Sequence, residues 1–174
     1  MGCDNSTEEP TQKANPEVDG RTFVGNHLVS ADDLISWPCF PEGTTSLLSK
    51  HLTKDIWEKY HDKVDANGVS FKTCIFSGCK NVDSGIGVYA GSADSYTAFK
   101  DFFDKIIFDY HGHTPSDIHV SNMDSSELNC PPFNEEEAAL IKSTRIRVGR
   151  NLADYPLGPG INNGDRDMVM NLVV

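Results

Sequence analysis

The chain has 174 residues, enough for one buried core and a piece of a second domain. Its composition, 38% hydrophobic and 24% charged without a run of about 18 apolar residues, excludes a transmembrane protein. A formal net charge of −11 argues against sequence-independent nucleic-acid binding, because phosphate contacts need clustered Lys and Arg, but a few placed arginines can still bind ATP.

The first 42 residues predict a flexible acidic tail, because polar residues and prolines interrupt any periodic pattern. The tail begins with the sequence MGCDNS, which matches the N-myristoylation pattern at Gly2 and places a palmitoylation site, Cys3, beside it. One myristoyl chain binds membranes only marginally, so stable attachment needs the second chain. The motif predicts acylation of Gly2 and Cys3. The alternative is an ordinary disordered start.

Five cysteines are scattered along the chain without a CxxC pair or a secretory signal peptide. They are Cys3, Cys39, Cys74, Cys79 and Cys130. This pattern predicts a reducing, cytoplasmic compartment. If the chain is acylated at Gly2 and Cys3, we expect that form at a membrane such as the plasma membrane or a cilium. The spacing of Cys74 and Cys79 fits neither a zinc knuckle nor one helix face, so we expect no metal site.

Residues 46–63 carry apolar side chains at helical intervals and predict two short helices, with Thr53 as the cap between them. The side chains expected in the core are Leu47, Leu48, Leu52, Ile56, Trp57 and Tyr60. Asn67-Gly68 predicts a turn, and residues 71–79 predict a further short helix.

Residues 82–89 are punctuated by Gly85 and Gly87 and predict an irregular segment. The two glycines permit a tight backbone path beside a ligand, but they form neither a Walker A motif nor a dinucleotide fingerprint. Taken alone, they also fit an ordinary surface turn.

Ser92 begins the clearest predicted helix, and Gly112 ends it. Its apolar stripe, which we interpret as packed core, consists of Tyr96, Phe99, Phe103, Ile106, Ile107 and Tyr110. His111 and His113 follow at the carboxyl end, where an imidazolium favours the helix dipole, and we expect no metal role for the pair.

Residues 114–137 are polar and rich in turns, and they predict a linker between two domains. The linker separates a helical domain at residues 43–113 from the start of a second domain at residues 138–174. We expect the apolar end of the chain, MVMNLVV, to seek a partner unless it packs on the helical domain.

In the second domain, Arg145 and Arg147 alternate with apolar residues, which predicts a strand with both guanidinium groups on one face. The hydroxyl of Ser143 falls on the same face, and the three groups together suit the oxygens of a polyphosphate. The alternative is a solvated polar face of a strand.

Four segments in fixed order resemble successive landmarks of the phosphagen kinases, and of arginine kinases in particular: SLLSKHLTKDIW, DSGIGVYAGSADSYTAF, FFDKIIFDYHG and STRIRVGR. The resemblance covers residues 43–159. It implies a mainly α fold, in which a small all-helical N-terminal domain precedes the start of an α/β catalytic domain.

The resemblance also implies roles for particular residues. The loop that receives the amino-acid end of the guanidino substrate is matched by Ser84, Gly85, Ile86, Gly87, Val88 and Tyr89. The match at Tyr89 indicates that this substrate is arginine. Asp83 matches a position that ties this loop to the catalytic domain in the closed state. Ser143, Arg145 and Arg147 match a stretch that holds the phosphates of MgATP.

The implied reaction converts MgATP and L-arginine into ADP and phosphoarginine. The resemblance places the remaining phosphate-binding arginines, the acidic residue that orients the guanidinium and the reactive cysteine after Val174. We therefore expect no catalytic residue in this chain and negligible kinase activity of the chain alone. Two alternatives are a membrane-tethered helical interaction module, and a generic acidic helical domain with an anion-binding strand and no preference among guanidino compounds.

Overall fold

The computed structural model describes residues 17–18 and 20–173. This part of the chain is mainly α, as predicted. Its helices are α1 Leu47–His51, α2 Lys54–Tyr60, α3 Phe71–Lys80, α4 Ser95–Ala98, α5 Lys100–His111, α6 Glu135–Leu140 and α7 Asn163–Val173. Short 3-10 helices span Ala31–Asp33 and Ser125–Glu127. None of the described helices has the length and apolar character that crossing a membrane requires.

A small sheet precedes the helices. Strand β1, Glu17–Val18, pairs antiparallel with β2, Arg21–Phe23, which pairs parallel with β3, Pro38–Cys39. Val24, Leu28 and Leu34 follow in this region and are at most 1% exposed. The prediction of a flexible tail is therefore wrong for residues 21–39, because a few apolar side chains in a polar stretch suffice to anchor it to the core. Gly2 and Cys3 lie outside the described residues.

Two capped helices follow, as the sequence predicts. The Ser46 hydroxyl accepts a 3.1 Å hydrogen bond from the Ser49 N–H at the start of α1, and the Thr53 hydroxyl accepts one of 3.4 Å from the Ile56 N–H at the start of α2. The predicted core residues of both helices are buried except Leu47, which is half-buried.

An aromatic cluster joins α2, α3 and α5. The ring of Phe71 lies 5.5 Å from that of Tyr60, 5.3 Å from Phe99 and 5.2 Å from Phe102, mostly edge to face. Helix α3 confirms the prediction for residues 71–79. The fully buried Phe102 was not among the residues expected in the core.

The helix predicted from Ser92 consists of two helices, α4 and α5, which meet at Phe99. Gly112 ends α5 with a φ of 73°, as predicted. The apolar stripe is buried only in its middle, because Tyr96 and Tyr110 are 45% and 59% exposed. The interpretation of these two tyrosines as packed core is therefore wrong.

Residues 112–150 are exposed and contain only a 3-10 helix and α6 as regular structure. The predicted strand at residues 143–150 is wrong, since the structure assigns no strand there. An alternating pattern forms a strand only where a neighbouring strand accepts and donates its backbone hydrogen bonds, and the described chain supplies no such neighbour. The predicted boundaries of the linker stay a prediction.

After this exposed stretch the chain returns to the helical domain. The Leu157 N–H donates a 2.8 Å hydrogen bond to the Gly91 carbonyl, and the Leu157 side chain packs against the core. The chain then enters α7, whose Met168, Met170 and Leu172 are 51%, 57% and 66% exposed. The residues before α7 thus pack on the helical domain, whereas much of the apolar surface of α7 stays open.

Candidate functional site

The segment Ser84–Tyr89, which we call the glycine loop, lies between α3 and α4. Helix α1 supports it, because the N–H groups of Leu47 and Leu48 each donate a 3.0 Å hydrogen bond to the carbonyls of Gly85 and Ile86 respectively. The first N–H groups of a helix have no acceptor within the helix and are free to make such bonds. The start of α1 therefore fixes the carbonyls of Gly85 and Ile86 in the loop.

Helix α3 supports the loop from the other side. The Tyr89 N–H donates a 2.9 Å hydrogen bond to the Cys74 carbonyl, and the backbone of Gly87 lies against that of Gly78. Gly87 has a φ of 77°, a conformation that glycine adopts without strain. The loop is irregular, as predicted, but its path is closely determined by its neighbours.

Four consecutive N–H groups of the loop donate no hydrogen bond to any described residue: those of Gly85, Ile86, Gly87 and Val88. Gly87 and Val88 are nonetheless buried residues. A buried N–H without an acceptor costs free energy, and successive free N–H groups are typical of sites that bind anions. These four N–H groups are thus left for water or for a ligand that carries hydrogen-bond acceptors.

A cleft of about 360 Å³ adjoins the loop, with Ile86 and Tyr89 on its lining. Tyr89 is 49% exposed, and its hydroxyl makes no hydrogen bond to a described residue. The rest of the lining includes apolar side chains of α5, among them Phe103 and Ile106, together with the segment around Leu157. The cleft is therefore lined mainly by apolar side chains, with Ile86, Val88 and Tyr89 contributed by the loop.

A buried carboxylate fixes the chain just after the loop. Asp65 is 5% exposed, and it accepts hydrogen bonds of 2.7 Å and 2.6 Å from the hydroxyls of Ser92 and Ser95. The N–H groups of Asn67 and Val69 each donate a 2.9 Å bond to its other oxygen. Burial acts to raise the pKa of Asp65, but these hydrogen bonds to the charged form outweigh it and lower the pKa.

The other predicted site residues lie apart from the loop. Asp83 is exposed and makes no ion pair with a described residue, so its role in domain closure stays a prediction. Ser143, Arg145 and Arg147 are exposed as well, and no hydrogen bond or ion pair joins them to the loop or to any other described residue. The structure therefore assembles the loop but does not bring the two arginines to it.

Among the described residues, no group of three His, Cys, Asp or Glu side chains is placed to hold a metal ion. His111 and His113 stack at 6.1 Å between ring centroids, and His113 lies 3.8 Å from Asp117. These residues remain an exposed cluster at the end of α5.

Sequence reasoning missed two features beside the loop and its cleft. Gly78 is one, and its position inside a helix, where glycine is unfavourable, was the available signal. The segment around Leu157 is another, and nothing local marks it as part of the cleft. Both depend on contacts between parts of the chain that are distant in sequence.

Comparison with known protein families gives a match over residues 42–108 to the family described as ATP:guanido phosphotransferase, N-terminal domain. An arginine kinase of Anthopleura japonica is 43% identical over 122 residues, which cover 70% of this chain and 17% of that protein. An arginine kinase of Liolophura japonica is 41% identical over 123 residues, covering 70% of this chain and 35% of that protein. The chain thus spans about a third or less of the relatives it matches.

The chain is also similar to solved structures. The duplicated taurocyamine kinase of Schistosoma mansoni, with bound transition-state analogue components, superposes with a TM-score of 0.63 and 28% identity. The match covers 76% of this chain and 19% of that one. The substrate-free form of the same kinase superposes equally well, at 27% identity. About three quarters of the chain therefore has a counterpart of known fold.

Proposed function

Because the chain belongs to the phosphagen kinase family through its N-terminal domain at residues 42–108, we propose that it serves the transfer of the γ-phosphoryl group of MgATP to L-arginine. The products are ADP and phosphoarginine. The arginine kinases at 41% and 43% identity support arginine as the acceptor, whereas the similarity to a taurocyamine kinase supports the wider class of guanidino acids.

The row of free N–H groups from Gly85 to Val88 is the observation that carries this proposal. L-Arginine has a carboxylate at one end and a guanidino group at the other. Held by its carboxylate on the loop, with the Tyr89 hydroxyl as a further donor, the substrate presents the guanidino group away from the loop. Such positioning is the main requirement of phosphoryl transfer, which depends on alignment and on neutralisation of the phosphate charge.

Ser143, Arg145 and Arg147 supply part of that neutralisation. The arginine side chains form no ion pair with an acidic residue of the described chain, so their charge is available to phosphate oxygens. The Ser143 hydroxyl adds a neutral donor. In this proposal the arginines reach the nucleotide when the second domain is assembled around it.

Calorimetry with L-arginine, taurocyamine and creatine tests the acceptor. We expect L-arginine to bind most tightly and creatine most weakly. Equal affinity for all three would instead support the generic anion-binding domain, and no binding would support the interaction module. For the nucleotide, the double variant Arg145→Ala/Arg147→Ala should weaken MgATP binding about tenfold or more. Lys54→Ala, which removes an exposed cation on α2, is the matched control.

Membrane attachment through Gly2 and Cys3 is a separate part of the proposal, supported by the sequence motif alone. Metabolic labelling with a myristate analogue should mark the wild type and not Gly2→Ala. Cys3→Ser should keep the myristate but lose stable membrane retention, because one acyl chain binds only marginally. Labelling of Gly2→Ala at the wild-type level would reject the acylation.

A further inference from the structure

We propose that Gly78, which lies on α3 outside the glycine loop, is a positioning residue that sets the path of the loop and the orientation of its free N–H groups. The inference rests on the proposed function, since it concerns the same loop. It adds a residue that makes no contact with the substrate in that proposal. Its role is to let the backbone of Gly87 pass directly over α3.

The geometry leaves no room for a side chain at this position. A Cβ atom on Gly78 would lie 2.5 Å from the Cα and 2.7 Å from the carbonyl carbon of Gly87, and closer still to the Gly87 carbonyl oxygen. All three are backbone atoms, so they cannot rotate away as the end of a side chain does. Glycine is unfavourable within a helix, and this contact gives the reason for its presence in α3.

Gly87 is confined from two sides. A Cβ atom on it would lie 3.2 Å from the Cα of Gly78 and 3.1 Å from the Cβ of Leu48. After Gly87, the Tyr89 N–H donates its hydrogen bond to the carbonyl of Cys74, which lies one helical turn before Gly78 on α3. The loop is thus held at Gly85 and Ile86 by α1, and at Gly87 and Tyr89 by α3.

A methyl group at position 78 must therefore lift Gly87 off α3. The displacement moves the N–H groups of Gly87 and Val88, which belong to the predicted carboxylate site. It also strains the bonds from Leu47 and Leu48 to the two preceding carbonyls. Gly85 lies in the same loop but has open space within 4 Å of a Cβ atom, so the restriction is specific to the contact with α3.

Amide hydrogen exchange on the 174-residue chain measures this directly. In Gly78→Ala we expect the protection of the Leu47, Leu48 and Tyr89 amides to fall about tenfold or more, while the amides of α5 keep theirs. L-Arginine affinity should also fall about tenfold or more. Ser77→Ala is the matched control, because this neighbour on α3 makes no side-chain hydrogen bond to a described residue, and we expect it to behave as the wild type.

Undiminished protection of Leu47, Leu48 and Tyr89 in Gly78→Ala would overturn the inference. Should that variant lose protection in α5 as well, the wild type alone decides: a nuclear Overhauser effect between the Hα protons of Gly78 and Gly87 supports the contact, and its absence overturns it. Failure of the proposed function gives a different result. In that case the wild type binds no guanidino compound, while the exchange rates still report whether Gly78 positions the loop.

Discussion

The N–H of Leu157 donates a hydrogen bond to the carbonyl of Gly91, and this bond fastens the segment before α7 to the helical domain two residues after the glycine loop. The attachment is tight, because the chain also passes close by at Gly160. A Cβ atom on Gly160 would lie 2.6 Å from Cγ2 of Val69 and closer still to the Gly91 carbonyl oxygen. The same segment lines the cleft beside Tyr89.

Gly160→Ala should therefore detach this segment and destabilise the protein by about 1–3 kcal/mol, the usual cost of an overpacked contact. The Leu157 amide should lose protection from hydrogen exchange in this variant. Gly149→Ala is the control, since a Cβ atom there has open space within 4 Å. Equal free energies of unfolding for the two variants would contradict the attachment.

Asp65→Ala should lower the free energy of unfolding by about 2–4 kcal/mol, because it leaves two buried hydroxyls and two N–H groups without their acceptor. Urea denaturation measures the loss. Asp62→Ala removes an exposed carboxylate nearby and should change stability by no more than about 0.5 kcal/mol. A small effect at Asp65 would mean that its hydrogen bonds are replaced by water.

The lowered pKa of Asp65 gives a pH dependence with a defined sign. The folded protein binds this proton less readily than the unfolded chain, so the stabilisation is complete above the unfolded pKa of about 3.9 and is lost as the pH falls through the lower folded value. Between pH 6 and pH 3, the free energy of unfolding measured with urea should therefore fall more steeply in the wild type than in Asp65→Asn. Parallel curves would show that another carboxyl causes the acid sensitivity.

Thiol reactivity should follow burial. Burial raises the pKa of the Cys74 and Cys79 thiols, whereas Cys130 is exposed. With a thiol reagent and peptide mapping, Cys130 should react in the native protein, and Cys74 and Cys79 only after unfolding. In Cys130→Ser the fast reaction should be lost, which identifies Cys130 as the fast-reacting thiol. Rapid labelling of Cys79 in the native protein would mean that α3 opens readily.

Much of the helical domain could be predicted from local signals. Ser46 and Thr53 cap α1 and α2 as their positions before apolar periodic segments indicate, and Gly112 ends α5 in the left-handed conformation. These outcomes depend on residues close in sequence. The position and irregular form of the glycine loop followed from its glycines in the same way.

Features that depend on distant partners could not be predicted. The alternating pattern around Arg145 indicates a strand only if another strand lies beside it. Val24 and Leu34 are buried because the core covers them, although their surroundings in sequence are polar. The need for glycine at position 78 is evident only when the position of the Gly87 backbone is known, because a Cβ atom on Gly78 would meet it.

In the proposed function, the free N–H groups of Gly85 to Val88 bind the carboxylate of the substrate. Backbone amide titration of the 174-residue chain with L-arginine, and with agmatine, which is arginine without its carboxylate, shows whether this binding occurs. We predict that L-arginine shifts these four amide resonances and that agmatine, at the same concentration, leaves them unchanged. Equal shifts with both compounds, or none with either, would mean that these N–H groups do not bind the carboxylate.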